Sequence, residues 1–226
     1  MSGYALQLLE DKLGADSEIA LLPPCNRVVY VVEGSTEITV GNQTHEFTPN
    51  SAWFGSGGCS VRGGSQGSHL WRWELVRTPT ANNGITFGDD VTTQLKQCEE
   101  IDMESQVKYL MRCDRVDFPL AGVAYTHTHR GPGIRCLLKG EIRIQVNARE
   151  SVIQSGESWF ESGPEPVFAA ASKTHLTSFV RAMILPRSLK GKSSITYVKP
   201  EDQDKPKTQQ YTRFVDAFIE VLDVCT

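Results

Sequence analysis

The sequence predicts an all-β protein made of two tandem β-barrels or β-sandwiches, followed by one helix at the C-terminal end. Three observations support this prediction. Short runs rich in β-branched and aromatic residues, separated by glycine, asparagine and proline, fill most of the chain. Two stretches of the chain match each other at a constant offset of 106 residues. Only the last segment places its apolar residues at a clear helical spacing.

The repeat sets residues 27–70 over residues 133–176 with ten identities and no gap. The densest match lays Trp53–Gly57 over Trp159–Gly163, both of the form Trp-Phe-x-Ser-Gly. A chain of 226 residues that repeats in this way is long enough for two domains, each with its own core. We therefore expect an N-terminal domain at 1–105 and a C-terminal domain that fills the rest, 106–226.

Each copy predicts the same succession of strands. The expected strands are 27–32, 35–40 and 44–47 in the first copy, and 134–138, 141–146 and 151–154 in the second. Glycine, asparagine and neighbouring polar residues separate them at the expected turns. Residues 111–118 alternate apolar and charged side chains as a half-buried strand does, and 194–198 is a further expected strand.

Two segments predict helix. In the linker between the copies, Asp90–Tyr109 could form a short helix. At the end of the chain, 209–223 is the stronger prediction, because its apolar residues form one stripe at helical spacing. The stripe consists of Phe214, Val215, Phe218, Ile219 and Leu222.

Composition limits the partners of the protein. The net charge of −4 gives no electrostatic reason to bind nucleic acid or an anionic membrane. No apolar run approaches the roughly 20 residues of a membrane span, and the first residues do not have the pattern of a secretory signal. The six cysteines include no CxxC pair, which argues against a zinc ribbon and favours reduced thiols. We expect a cytoplasmic protein whose partner is a small molecule.

The chemically richest segment begins at Tyr125 and contains the pattern His-Thr-His. Residues two apart on a strand face the same side, so His127 and His129 are expected to point together. Two imidazoles on one face can chelate a divalent metal. The first copy has Leu21 and Pro23 at the matching positions. We therefore expect a site in the second copy only.

This segment and the repeat resemble the cupin superfamily, the small jelly-roll barrels also called RmlC-like. The first cupin motif is matched by His127, His129 and Gly140, and the second by Gly156-Glu157 and Gly163. The resemblance covers about residues 15–78 and 111–186. It implies a bicupin, two cupin barrels in tandem, and it makes pairing into a homodimer plausible.

The resemblance also implies a metal held by two histidines, a glutamate and a second-motif histidine, and here the sequence departs from the family. The glutamate position falls on Gly133 or Ile134, and the late histidine position falls on Pro166 or Val167. None of these side chains can bind a metal. Two of the four family ligands are therefore missing.

Glu161 could replace one of them, because it stands where the first copy has Gly55. Two histidines and one carboxylate would form the facial triad of non-haem iron enzymes. The alternative is that Glu161 caps a loop or forms an ion pair with Arg135 or Arg143 at the rim.

Other residues near the histidines have weaker predictions. Tyr125 and Arg130 are predicted to contact the substrate, with the Arg130 guanidinium gripping a carboxylate at the mouth of the pocket. If Ile134 faces the barrel interior, Arg135 faces outward, and Cys136 faces inward as inert packing.

These residues leave three functions open. The first is a metal-dependent enzyme of dioxygenase, isomerase or hydrolase type, using Fe, Mn, Ni or Zn and acting on a small acidic or oxygenated molecule. The second is a binding or structural bicupin without turnover. The third is a metal-independent epimerase with a histidine as general base. The metal distinguishes the first function from the others.

Overall fold

The structure, a computed structural model, describes residues 3–78, 86–104 and 106–220. They form two compact units. The first unit contains the described residues up to Glu104, and the second contains residues 106–220. In these three ranges, the regular secondary structure consists of strands and two turns of 3₁₀ helix, Arg187–Leu189 and Pro200–Asp202. No helix in the described part of the chain is long and apolar enough to cross a membrane.

The first unit is built on one antiparallel sheet. Its strands are β1 (Tyr4–Leu13), β2 (Glu18–Leu22), β3 (Asn26–Val40), β4 (Gln43–Phe47), β5 (Ala52–Gly55), β6 (Cys59–Arg77), β7 (Thr86–Phe87) and β8 (Val91–Ile101). The main path runs β4-β3-β6-β1-β8, and β2 and β5 pair with parts of β6 and β3. The long strand β3 pairs with β5 through its first half and with β4 through its second half, and the change comes near Gly34. Aliphatic side chains such as Ile19, Val31 and Leu70 form the core of this unit.

The second unit is a sandwich of two five-stranded antiparallel sheets. Its strands are β9 (Tyr109–Phe118), β10 (Val123–His129), β11 (Gly133–Lys139), β12 (Glu141–Val146), β13 (Arg149–Gln154), β14 (Ser158–Glu161), β15 (Val167–Ala171), β16 (Thr177–Pro186), β17 (Ile195–Tyr197) and β18 (Gln210–Ile219). One sheet has the order β13-β12-β15-β10-β17, and the other has the order β14-β11-β16-β9-β18. Apolar side chains from both sheets, among them Phe118, Ile144 and Phe179, fill the space between them. This is the jelly-roll architecture that the sequence predicts.

The prediction of a C-terminal helix is wrong. Residues Gln210–Ile219 form strand β18, which pairs antiparallel with β9 along its whole length. The segment is rich in β-branched and aromatic residues, so it has high strand propensity, and the ladder with β9 satisfies its backbone. A register shift between Arg213 and Val215 interrupts the alternation, and Phe218 is exposed beside the buried Ile219, so the apolar residues do not share one face. Leu222, the last residue of the predicted stripe, lies outside the described residues.

The short helix expected between residues 90 and 109 is also absent from the described residues of that segment. Val91–Ile101 is strand β8, which pairs with β1 at the edge of the first sheet. Its side chains are mostly exposed or half-buried, as in a solvated edge strand. The expected strands 27–32 and 35–40 form one continuous strand, β3, that runs through Gly34, and the remaining expected strands occur within a few residues of their predicted ends. The five described cysteines are free thiols, and Cys225 lies outside the described residues.

Candidate functional site

The two histidines of the His-Thr-His pattern meet inside the second unit. Both lie on β10, where their spacing of two turns them to the same face, and both are 5% exposed. Their Nε2 atoms are 3.2 Å apart and their rings are nearly perpendicular. Backbone pairing of β10 with Val167 on β15 and Ile195 on β17 holds the strand in place. The predicted pair is therefore a buried and fixed feature.

Burial keeps both imidazoles neutral at physiological pH. It lowers the pKa of His127, and it lowers the pKa of His129 to about 3, although Glu161 acts in the opposite direction. The Nδ1–H of His127 donates to the carbonyl oxygen of Tyr125 at 2.7 Å. Since a neutral imidazole has one N–H, the Nε2 atom of His127 carries a lone pair. This is the tautomer that metal-binding histidines adopt.

Glu161 approaches the histidine pair from strand β14. Its Oε2 atom is 3.3 Å from Nε2 of His129 and 2.7 Å from Nη2 of Arg135, while Oε1 accepts a hydrogen bond from the indole N–H of Trp159 at 2.9 Å. Burial acts to raise the pKa of this carboxyl, but Arg135, His129 and Trp159 together outweigh it, so the pKa lies well below its ordinary value. Oε2 is buried, and neither of its close contacts has hydrogen-bond geometry.

Arg135 belongs to this cluster, although the alternation of β11 predicted that it faces outward. It is fully buried, and Leu137, two residues further along β11, packs in the core between the sheets. Five successive residues of β11 are buried, so burial does not distinguish the two faces of this strand. Gly133 is the sequence feature that accompanies this burial. A Cβ at Gly133 would lie 2.6 Å from the carbonyl oxygen of Ala182, 2.7 Å from Cγ of Met183 and 3.1 Å from Nη1 of Arg135, so glycine permits the close packing of β16 and the guanidinium.

The donors of this cluster fit a transition metal in part. A metal bound to imidazole at about 2.0–2.1 Å sets its ligand atoms about 3.0–3.4 Å apart, the range in which the histidine nitrogens lie. A cavity of ≈ 20 Å³ adjoins His127, His129 and Glu161, enough for one small ion or water molecule. Arg135, however, occupies one side of the carboxylate. Among the described residues, no group of three or more His, Cys, Asp or Glu side chains could hold a metal ion. The fit is therefore to two histidine ligands, with Glu161 held by Arg135.

The other two predicted site residues lie at the edge of the cluster. Tyr125 contributes its carbonyl oxygen to His127, and its ring lies beneath the ammonium group of Lys205 at 4.9 Å. Arg130 is exposed, and its backbone N–H donates to the carbonyl oxygen of Ser194. Neither side chain lines the small cavity. The structure thus brings His127, His129 and Glu161 together and leaves the side chains of Tyr125 and Arg130 outside.

A larger cleft of ≈ 330 Å³ adjoins the small cavity in the same unit. Arg181, Ile195 and Tyr211 line both spaces. The hydroxyl of Ser194, which lines the cleft, lies 3.5 Å from Nδ1 of His129. A molecule in the cleft would therefore lie next to the histidine pair.

The first unit has no counterpart of this cluster at the matching positions. By the repeat, His127 and His129 correspond to Leu21 and Pro23, which are both exposed, and Gly55 stands where the second unit has Glu161. A Cβ at Gly55 would lie 2.3 Å from the ring of Trp53, so the indole fills the place of a side chain there. In the second unit the matching Trp159 donates to Glu161 instead. One tryptophan position thus serves packing in one unit and the polar cluster in the other.

Sequence comparison finds no family model and no curated protein that matches the chain. Solved structures do match. An oxalate decarboxylase from Bacillus subtilis has a TM-score of 0.66 at 10% identity, covering 91% of this chain and 78% of that chain.

Two further matches have lower scores. AerE from Microcystis aeruginosa has a TM-score of 0.60 at 11% identity and covers 80% of this chain and 88% of that chain. A salicylate 1,2-dioxygenase from Pseudoaminobacter salicylatoxidans has a TM-score of 0.56 at 9% identity, with 79% and 70% covered. At such identities the likeness shows the fold. The chain has the all-β cupin jelly-roll fold that the sequence predicts.

Proposed function

We propose that the chain is a bicupin whose second barrel binds a small organic molecule with an acidic or oxygen-bearing group, next to a divalent transition metal held by His127 and His129. The facing Nε2 atoms of the two buried, neutral histidines, 3.2 Å apart, are the main support for this proposal. A bound Fe, Mn, Ni or Zn ion would polarise a substrate oxygen or, if redox-active, activate dioxygen. Dioxygenase, isomerase and hydrolase activities all remain compatible with such a site.

The residues around the pair would orient it. The carbonyl oxygen of Tyr125 fixes the tautomer of His127, and the Ser194 hydroxyl can accept from Nδ1 of His129 when Nε2 of that ring serves as a ligand. Glu161 would supply negative charge beside the ion through its low pKa. Two protein ligands leave several coordination positions for substrate and water. Arg130, exposed at the end of β10, remains a prediction for contact with the substrate.

A metal-free binding barrel is the second candidate, and the Arg135–Glu161 pair favours it. The guanidinium at 2.7 Å already compensates the buried carboxylate, so the cluster has no net negative charge that requires a cation. The two histidines can also bond to each other through one N–H between their Nε2 atoms. Under this candidate the barrel binds a small molecule without turnover.

Metal analysis separates the two candidates. The chain would be purified without added metal, reconstituted in turn with Fe, Mn, Ni and Zn, and measured for metal content. We expect about one ion per chain in the wild type and background levels in His127→Ala/His129→Ala. His175→Ala is the matched control, because His175 is exposed in the loop before β16, and this variant should keep the ion.

The affinity of Glu161→Gln for the metal then defines the role of the carboxylate. A loss within about 10- to 100-fold is typical of a group that acts from the outer shell, and a larger loss would make Glu161 a third ligand. Background metal in the wild type after all four reconstitutions would exclude the metal site and leave the metal-free barrel. The cytoplasmic location and the homodimer that the resemblance makes plausible stay predictions, and the mass of the purified chain in solution tests the latter.

A further inference from the structure

The 330 Å³ cleft of the second unit carries more positive charge than its carboxylates compensate. Four cationic side chains line it, Arg112, Arg181, Lys207 and Arg213, against the single carboxylate of Asp114. Arg181 binds Asp114 through two contacts of 2.6 and 3.2 Å. The remaining three cations must therefore find compensation elsewhere.

One carboxylate just outside the lining serves two of them. Asp216 accepts from Nε of Arg112 at 2.9 Å and lies 3.6 Å from Arg213. Lys207 donates only to backbone carbonyl oxygens and lies 4.4 Å from the centre of the Tyr197 ring, so no carboxylate compensates it directly. Counted with these ion-pair partners, the cleft has an excess of two positive charges. An anion entering it would meet an attractive field in a partly dehydrated space.

Gln209 gives an independent sign of a ligand. This side chain is 7% exposed and lines the cleft together with Tyr197 and Tyr211. Its carbonyl oxygen Oε1 is buried and has no hydrogen-bond partner. A buried acceptor without a donor is costly, and a bound hydroxyl group would satisfy it.

From these two observations we infer that the cleft binds a small organic anion that carries a hydroxyl group. The anionic group lies towards Arg213 and Lys207, and the hydroxyl donates to Oε1 of Gln209. Arg181 and Tyr211, shared with the small cavity, place the other end of the molecule beside His127 and His129. This inference deepens the proposed function by naming its substrate class, and it rests on that function only for the role of the histidines.

Titration calorimetry on the full chain, freed of metal by chelation, tests the inference with two pairs of probes. L-malate and succinate differ by one hydroxyl and carry carboxylates, whereas glycerol phosphate and propyl phosphate carry a phosphate with and without hydroxyls. We expect the hydroxylated member of one pair to bind about three- to tenfold more tightly than its partner. The pair that shows the preference identifies the anionic group.

Three variants assign the effect to the cleft. Gln209→Met should remove the preference for the hydroxylated probe while keeping most of the affinity for the other. Arg213→Gln should weaken both members about tenfold, and because this side chain is 38% exposed, we expect the variant to fold. Arg143→Gln makes the same charge change at a side chain that is 49% exposed and lies outside the cleft, and it should bind as the wild type does.

Equal affinities within both pairs, or binding that is unchanged in Arg213→Gln, would overturn the inference. The use of metal-free protein keeps this outcome separate from the proposed function. If the protein binds the anion but never binds a metal, the proposed metal site is excluded and the inference about the cleft stands. If it binds a metal but no anion, the inference about the cleft is overturned and the metal site stands.

Discussion

At the scale of single residues, the histidine cluster includes the charged side chain of Arg135, whose direction the sequence pattern did not predict. His127 and His129 were predicted to point together, because residues two apart on a strand face the same side. On β10 they do so, and both are buried. The same rule failed for Arg135, because β11 is buried on both faces. Its sequence pattern therefore does not show which face points into the core between the sheets. The alternative that Glu161 pairs with Arg135 describes the contact in the structure, although the pair is fully inside the unit rather than at its rim.

The Arg135–Glu161 pair should therefore be strongly coupled. Glu161→Gln leaves a buried guanidinium without its partner, and Arg135→Met leaves a buried carboxylate, so each should lower the unfolding free energy of metal-free protein by about 3–5 kcal/mol. The double variant should cost clearly less than the sum of the two single changes. Urea unfolding of the four proteins gives the coupling energy. The exposed pair Arg143–Glu150 is the control and should give a coupling below about 1 kcal/mol. A coupling energy below about 1 kcal/mol between Arg135 and Glu161 would mean that solvent reaches the cluster.

At the scale of elements, periodicity predicted most strands and failed where a strand is irregular. The strands on both sides of Gly140 were predicted within about one residue, because glycine and regular alternation delimit them clearly. Strand β18 was mistaken for a helix, because its apolar residues lie three and four apart in sequence although they do not share one face of the strand. The hydrogen bonds that make it a strand come from β9, about a hundred residues earlier in the chain, and no local pattern contains that information.

The junction between β11 and β12 should depend on glycine for two reasons. Gly140 has φ +81°, and a Cβ there would lie 2.5 Å from the carbonyl oxygen of Leu176. Gly156 in the same unit has φ +85° with open space around it, so Gly156→Ala isolates the backbone strain. We expect Gly156→Ala to cost about 1–2 kcal/mol and Gly140→Ala at least about 1 kcal/mol more. Unfolding midpoints in urea compare the two. Equal losses would show that the strand junction moves aside without cost.

At the scale of the whole molecule, the two units share a strand plan and differ in their interiors. The polar positions His127 and Glu161 of the second unit are replaced by Leu21 and Gly55 in the first. Both units nevertheless bury an arginine–aspartate pair, Arg72 with Asp11 and Arg181 with Asp114. A buried ion pair by itself is therefore not the mark of the site in this fold. The distinguishing features are the histidine pair and the charged cleft beside it.

This asymmetry predicts that ligands stabilise one unit only. A ligand at 100 times its dissociation constant adds about 2.7 kcal/mol to the state that binds it. Hydrogen–deuterium exchange of the full chain, with and without metal or the preferred anion, should show slower exchange in peptides from β10, β14, β17 and β18. Peptides from β2 and β5, the first-unit strands at the matching positions, should exchange at unchanged rates. His127→Ala/His129→Ala should abolish the metal effect, and Arg213→Gln should weaken the anion effect. Slower exchange in β2 or β5 would contradict this asymmetry and reveal a binding site in the first unit.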